Sequence, residues 1–461
     1  MKTNFKASLV AFSLVLLGAC TPSDGFVDLF NGKDFTGFKQ LNGKAPYTVV
    51  DGMMVGTSVD KEPNSFMVTE KTYGDFILEF DVQCDPMLNS GVQFRSESLP
   101  TYNNGRVHGY QCEIDPSDRA WSGGIYDEAR RGWLYPLTGN EAGRTAYKKE
   151  GWNHYRIEAL GNNMRVWLNG VNTANLYDDE TAEGFIAFQV HGVGKDQKKV
   201  GKTIQWKNIR ILTENVAANL KQGTLAPAIN KIPNTLCEDE KAAGWKLLFD
   251  GKTTAGWRGA HRDAFPTDGW SVKDGILTIE ASGGGESTNA GDIVTVDEYA
   301  AFELSLEFML TPGANSGIKY FVTEAEKGGG RSAFGLEYQL LDDAKHPDAK
   351  AFTTYEKSRT LASLYDVVPG VSKRFNGVNK WNTAVLKVYP NNHVEHWLNG
   401  FKVIEYDRCS DAIRERIKNS KYAAKVFNDP APFGEAKQGH ILLQDHGDLV
   451  HFRSIKIREL K

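Results

Sequence analysis

The chain has 461 residues, 41% of them hydrophobic, and a net charge of only -4. That is enough material for two cores of roughly 200 residues each. No basic run or basic face of the kind that neutralises phosphates is present, which excludes a nucleic-acid partner and points to neutral small molecules.

Residues 1–20 read as a targeting segment. Lys2 and Lys6 make a positive start, and Ala7 to Leu17 is apolar but too short to span a bilayer. Leu17-Gly18-Ala19-Cys20 then closes the segment with small residues before a cysteine. The pattern is similar to a bacterial lipobox. It predicts lipidation at Cys20, a membrane partner through that lipid anchor, and a place in the cell envelope, facing the periplasm or the outer-membrane surface. A plain secretory signal would lead to the envelope as well.

From Phe26 onward the chain repeats itself. Phe30-Asn31-Gly32-Lys33 returns as Phe249-Asp250-Gly251-Lys252, and Asn89-Ser90-Gly91 as Asn315-Ser316-Gly317. GYQCEID from Gly109 returns as GLEYQLLDD from Gly335, RVWLNG from Arg165 as VEHWLNG from Val394, and IAFQVHG from Ile186 as ILLQDHG from Ile441. Residues 26–213 are thus one domain and 245–461 a second copy. Residues 214–244 lack strand alternation, carry Pro227 and Pro233, and end in an acidic helical stretch, which makes them the linker. Each copy is a series of short alternating strands broken by DG, NSG and NG turns. The spacing predicts an antiparallel sandwich or jelly roll rather than a parallel α/β sheet. The second copy carries 25 extra residues before its QxHG segment, including a surface helix on Ile413, Ile417 and Ala424.

Cys84, Cys112, Cys237 and Cys409 lack paired spacing, so neither a zinc site nor a disulfide framework is predicted, although a Cys84–Cys112 bridge stays open. Asp115, Asp127, Glu128, Asp342, Asp343 and Asp348 show no calcium-loop spacing. No metal is expected, with calcium not excluded.

Strand alternation sets polar side chains on shared faces. Gln93 goes with Arg95, Gln111 with Glu113 and Asp115, Gln189 with His191, and Gln444 with His446. A sandwich has one wet face per sheet, so these could be solvated surface. Gln, His, Arg and Asp together are also the groups that converge on a ligand.

The LFNGKD opening, the NSG strand, GLEYQLLDD, the LNG turn and the closing GHILLQDHGDLVHFRSIKIREL resemble, by their order along the chain, the 3-keto-disaccharide hydrolase domain family, and the resemblance covers nearly all of residues 26–213 and 245–461. The resemblance implies two tandem concanavalin-like antiparallel β-sandwich (jelly-roll) domains, an all-β protein, and cleavage of glycosides oxidised to a ketone at C3. A separate oxidoreductase would supply that oxidised substrate. A C3 ketone acidifies the C2 proton, so one base and a few donors to the developing enolate suffice to expel the C1 aglycone.

For the first copy the candidate bases are Glu113 and His191, with Arg95 and Gln111 on the oxyanion and Gln93, Asp115 and Gln189 nearby. For the second they are Glu337 and His446, with Gln339, Gln444, Lys319 and Asp342. Amide and carboxylate exchange between copies, since Gln111 and Glu113 align with Glu337 and Gln339, and Arg95 aligns with Phe321. The loop from Arg119 offers Trp121, Tyr126, Arg131 and Trp133 as a sugar platform, or as loop packing. A non-catalytic, lectin-like envelope lipoprotein, or one catalytic and one binding copy, are the competing readings. An ordinary two-carboxylate glycosidase fits less well, because neither copy places two carboxylates on separate strands.

Overall fold

The computed structural model describes residues 24–283, 290–324, 333–423 and 431–461, so the targeting segment, Cys20 and Ala424 lie outside it. Alternation in sequence becomes alternation in burial. Asn382–Val388 switches between buried and half-buried at every residue, and its neighbour Phe302–Leu310 does the same from Leu304 on. Asp-Gly and Asn-Gly pairs turn the hairpins. Asp51 and Gly52 have φ of 50° and 77°, Asn169 and Gly170 48° and 89°, with equivalents at Asp274-Gly275 and Asn399-Gly400. Two consecutive positive φ values give the tight turn whose twist suits antiparallel strands.

In the first copy one sheet runs, in spatial order, Ile229–Asn230, Val171–Tyr177, Asn163–Leu168, Asn153–Leu160, Phe76–Cys84, Thr203–Leu212, Met53–Thr57, Tyr47–Val50, with Val27–Asp28 also on Thr203–Leu212. The facing sheet runs Gly132–Tyr135, Ile125–Glu128, His108–Ile114, Ser90–Glu97, Gly184–Val190, Ser65–Tyr73, Phe38–Asn42. Phe80 and Tyr155 of one sheet and Phe94, Tyr110 and Phe188 of the other close the core between them.

The second copy repeats the plan. Trp270–Lys273, Ile276–Ile279, Val450–Glu459, Phe302–Leu310, Asn382–Val388, His393–Leu398 and Phe401–Asp407 form one sheet, with Lys246–Leu247 beside Val450–Glu459. Trp257–Gly259, Ile293–Thr295, His440–Leu443, Asn315–Val322 and Leu336–Leu341 form the other. The protein is therefore two tandem antiparallel β-sandwiches of concanavalin-like, jelly-roll type.

The intervening segment holds a short strand at Ile229–Asn230 and the helix Glu238–Ala242, whose Glu240 pairs with buried Lys456 of the second copy. The extra residues of the second copy form the helix Asp411–Lys418, capped by the Ser410 hydroxyl and burying Ile413 and Ile417. The two copies touch where the Asn399-Gly400 turn meets the first copy. There the Thr138 hydroxyl donates to the Gly400 carbonyl, and the Trp121 and Phe401 rings lie 5.6 Å apart. All four described cysteines are free, and Cys84 and Cys112 pack as small buried hydrophobes with no bridge.

Candidate functional site

Strand register decides which polar groups meet. In the first copy Gly91 pairs with Glu113 and Gln93 with Gln111; in the second Gly317 pairs with Gln339 and Lys319 with Glu337. The alternate residues Val92, Phe94, Tyr110 and Cys112, and Ile318, Tyr320, Tyr338 and Leu340, enter the cores. Each NSG glycine is there for space. A Cβ on Gly91 would lie 2.4 Å from the Gln111 side chain, and one on Gly317 would lie 2.7 Å from Glu337 Oε1. Neither glycine needs an unusual φ; the missing side chain lets the neighbouring polar group fold over the strand. The exchange of amide and carboxylate read from the sequence is thus a physical exchange at one position.

The first copy's polar face is largely tied up by its own bonds, although Gln189 Oε1 is buried and has no partner among the described residues. Gln111 Oε1 accepts from Gln93 Nε2 at 2.6 Å and from Gln189 Nε2 at 2.9 Å, while Gln111 Nε2 donates to Glu113 Oε2 at 3.0 Å. Glu113 Oε1 accepts from Asn89 Nδ2 at 2.8 Å and from Arg119 Nη2 at 2.9 Å. Arg119 also donates to Asp115 and lies about 5 Å from the rings of Trp121 and Trp133. Three of the carboxylate's roughly four acceptor positions are filled. Burial pushes the Glu113 carboxyl up, against the bonds from Asn89 and Gln111 and the Arg119 charge.

The second copy is built from the same backbone and left open. Among the described residues the Glu337 carboxylate accepts one bond, at Oε2 from the Tyr422 hydroxyl at 3.3 Å. Gln339 and Asn315 are 0% and 4% exposed, yet Gln339 Nε2 and Asn315 Oδ1 have no partner among the described residues. Asn315 is the counterpart of Asn89, whose Nδ2 donates to Glu113 in the first copy. Gln444 is held over Gly317 by its backbone N–H to the Gly317 carbonyl, 3.0 Å. Beyond it His446, His346 and Asp448 gather, each with one ring nitrogen or carboxylate oxygen within 4.8 Å of the others. From Lys319 to Asn315 this stripe spans two strand repeats, roughly 13 Å.

Several expectations are corrected by these positions. Arg95 has φ of 44° at a bulge, which turns it off the face of Gln93. Its guanidinium instead donates to the Gly74 and Gly161 carbonyls and to Asp75, and Ser96 takes its place beside Gln93. Phe321 sits at the matching bulge with φ of 54°, under the Arg408 guanidinium.

His191 and His446 lie past the ends of their strands rather than on them, and His191 is exposed with Nδ1 on the Gly192 carbonyl. Lys319 is not a spare donor: its ammonium faces buried Asp292 and the Ala333 carbonyl. Asp115 and Asp342 cap their own loops, accepting from Ser117 N and from Gly313 and Ala344 N. Arg131 is tied to Asp127 and Asp178.

Trp121 is 8% exposed against Trp133 and Phe401, and Tyr126 packs edge-on to Trp133, so these rings form packing between copies and around Arg119 rather than an open platform. The acidic residues considered for calcium are engaged too: Asp127 with Arg130, Glu128 with Arg106, Asp343 with Lys373 and Asp348 with Arg359. Sequence reasoning missed Asn89, Arg119, Asn315, His346, Tyr422 and Asp448. Asn89 and Asn315 were visible as the first residue of the repeated NSG, and Arg119 as the start of the aromatic loop.

Residues 25–212 and 244–458 each match the family described as 3-keto-alpha-glucoside-1,2-lyase-like domain. A 3-keto-disaccharide hydrolase of Bacteroides thetaiotaomicron is 32% identical over 281 residues, 57% of this chain and 92% of that protein. A solved Parabacteroides distasonis structure with a provisional glycosyl hydrolase label is 32% identical, covering 50% of this chain and 100% of its own, with a TM-score of 0.42. A second from the same organism is 28% identical over 47% of this chain and 99% of its own, with a TM-score of 0.34.

Proposed function

Because the chain belongs to the 3-keto-alpha-glucoside-1,2-lyase-like domain family, we propose that it cleaves glycosides already oxidised at C3, with turnover in the second copy. Glu337 is the base. It takes the C2 proton; the C–H electron pair delocalises onto the C3 oxygen, then returns to form C1=C2 as the C1–O bond breaks. The proton that Glu337 took goes to the leaving aglycone oxygen, which restores the carboxylate, and water added across the double bond completes a net hydrolysis. Without the ketone, C2–H is far too weak an acid for a carboxylate.

One observation carries this reading. The Glu337 carboxylate lies over Gly317 with a single 3.3 Å bond, beside a buried amide donor on Gln339 and a buried amide acceptor on Asn315 that lack partners among the described residues. Buried polar atoms left open cost stability unless something fills them. Sugar hydroxyls both donate and accept, so a sugar answers both needs. The three bonds that engage Glu113, against one at Glu337 among the described residues, favour the second copy, although the first also keeps an unpartnered buried Gln189 Oε1. The name of the Bacteroides relative supports the substrate class. A separate oxidoreductase would supply the ketone.

The test is aglycone release from 3-keto glucosides and from the unoxidised parents. Release from the ketones alone is expected. Equal rates would indicate a conventional glycosidase, and binding without release a lectin.

A further inference from the structure

The proposed reaction needs a donor at the C3 oxygen, and the second copy holds a histidine that the sequence reading did not consider. We propose that His346, as a neutral imidazole, donates its Nε2 hydrogen to the C3 oxygen of the substrate and stabilises the enolate that forms there. The inference rests on the reading given above.

Placement comes first. Leu336–Leu341 carries Glu337 and Gln339, and the turn that follows is clamped by Asp342, whose carbonyl accepts the His346 backbone N–H at 2.9 Å. The ring of His346 stands perpendicular to that of His446, with centroids 6.1 Å apart at the end of the open polar stripe.

Its tautomer is set by the next residues. Pro347 has no N–H, so the first backbone donor of the short turn Pro347–Lys350 is Asp348, and His346 Nδ1 accepts from it at 3.2 Å. An imidazole whose Nδ1 accepts carries its hydrogen on Nε2. Burial and the neighbouring His446 lower the His346 pKa from its ordinary value, against the pull of Asp348, Asp448 and Asp342.

His346, His446 and Asp448 also have the composition of a divalent-cation site. Metal-bound histidines, however, give the metal a lone pair and donate from the other nitrogen to a carbonyl or carboxylate. Here the other nitrogen faces an N–H, so a cation on Nε2 would set donor against donor.

In the step itself Glu337 gains the C2 proton and the C–H pair moves to the C3 oxygen. The Nε2–H of His346 remains on nitrogen as a shortened hydrogen bond, and no redox partner is required. A neutral imidazole donor with a helix-side N–H on its other nitrogen is a known way to polarise a carbonyl. Loss of one such donor typically costs about 10²–10³ in kcat.

The experiment compares wild type, His346→Ala and His346→Gln by turnover of a 3-keto glucoside. It also records the infrared carbonyl stretch of a bound 3-keto sugar whose aglycone is carbon-linked and cannot leave. Expected are a lowered stretch in wild type, its return toward the aqueous value in His346→Ala with kcat down about 10²-fold, and partial recovery of both in His346→Gln. Full turnover and an unchanged stretch in His346→Ala would overturn the assignment, as would activity lost on chelation and restored by a divalent metal. If wild type releases no aglycone at all, the reaction reading fails; the carbonyl shift of the bound ketone still decides the role of His346.

Discussion

Glu337 occupies the room that Gly317 leaves, and a Cβ at that glycine would lie 2.7 Å from the carboxylate oxygen. The atom in conflict is the end of a side chain, so the backbone can stay while the carboxylate moves. Gly317→Ala should therefore fold with a near-normal melting temperature and lose turnover by about 10²-fold, since a displacement of about 1 Å suffices for that. Steady-state kinetics beside a thermal melt check it. A stable variant with full activity would remove Glu337 from the chemistry.

A second prediction concerns acid stability. His396 is fully buried, donating from Nδ1 to the Ala362 carbonyl and accepting at Nε2 from the Tyr320 hydroxyl. Burial lowers its pKa from 6.5 to about 3. Between those values the unfolded chain binds a proton that the folded one does not, so stability falls as pH drops through this window, by up to about 1.4 kcal/mol per pH unit. Denaturant melts across that interval should show a shallower slope for His396→Gln than for wild type. Parallel slopes would assign the acid sensitivity to other groups.

A third follows from Leu17-Gly18-Ala19-Cys20. We propose a lipid anchor there; Cys20→Ala should move the protein from the membrane fraction to the soluble extract of its host. Unchanged fractionation would rule out lipidation as the means of attachment.

Strand alternation and the DG and NG turns made the fold legible, because both are local rules that this backbone obeys. The repeated NSG coincides with the proposed site for a reason the letters do not state: the glycine's absent side chain leaves room for Gln111 and Glu337. Two kinds of residue escaped. Arg95 follows the period of Gln93 in the sequence, but one bulge residue reverses its face, and single bulges leave no mark on a two-residue pattern. His346, Asp448 and Arg119 act from loops whose course is set by turn-capping side chains such as Asp342 and Asp115.

The last prediction separates the copies. Glu113 is held by Asn89, Gln111 and Arg119, and Arg119 is itself anchored on Asp115 and against Trp121 and Trp133. A carboxylate held by three bonds, one of them charge-assisted, has little freedom to move onto a substrate, whereas Glu337 accepts, among the described residues, one bond from the Tyr422 hydroxyl. Glu337→Gln should accordingly lower kcat by about 10²-fold or more with little change in stability, because the amide keeps the shape and loses only the basicity. Glu113→Gln should leave turnover within about twofold. Its cost should fall on stability, about 1–3 kcal/mol, because a Gln cannot accept at both oxygens and Arg119 or Gln111 loses a partner. The four numbers, kcat and melting temperature for each variant, decide it. Turnover lost in Glu113→Gln and kept in Glu337→Gln would move the chemistry to the first copy, and equal losses would mean that both copies work.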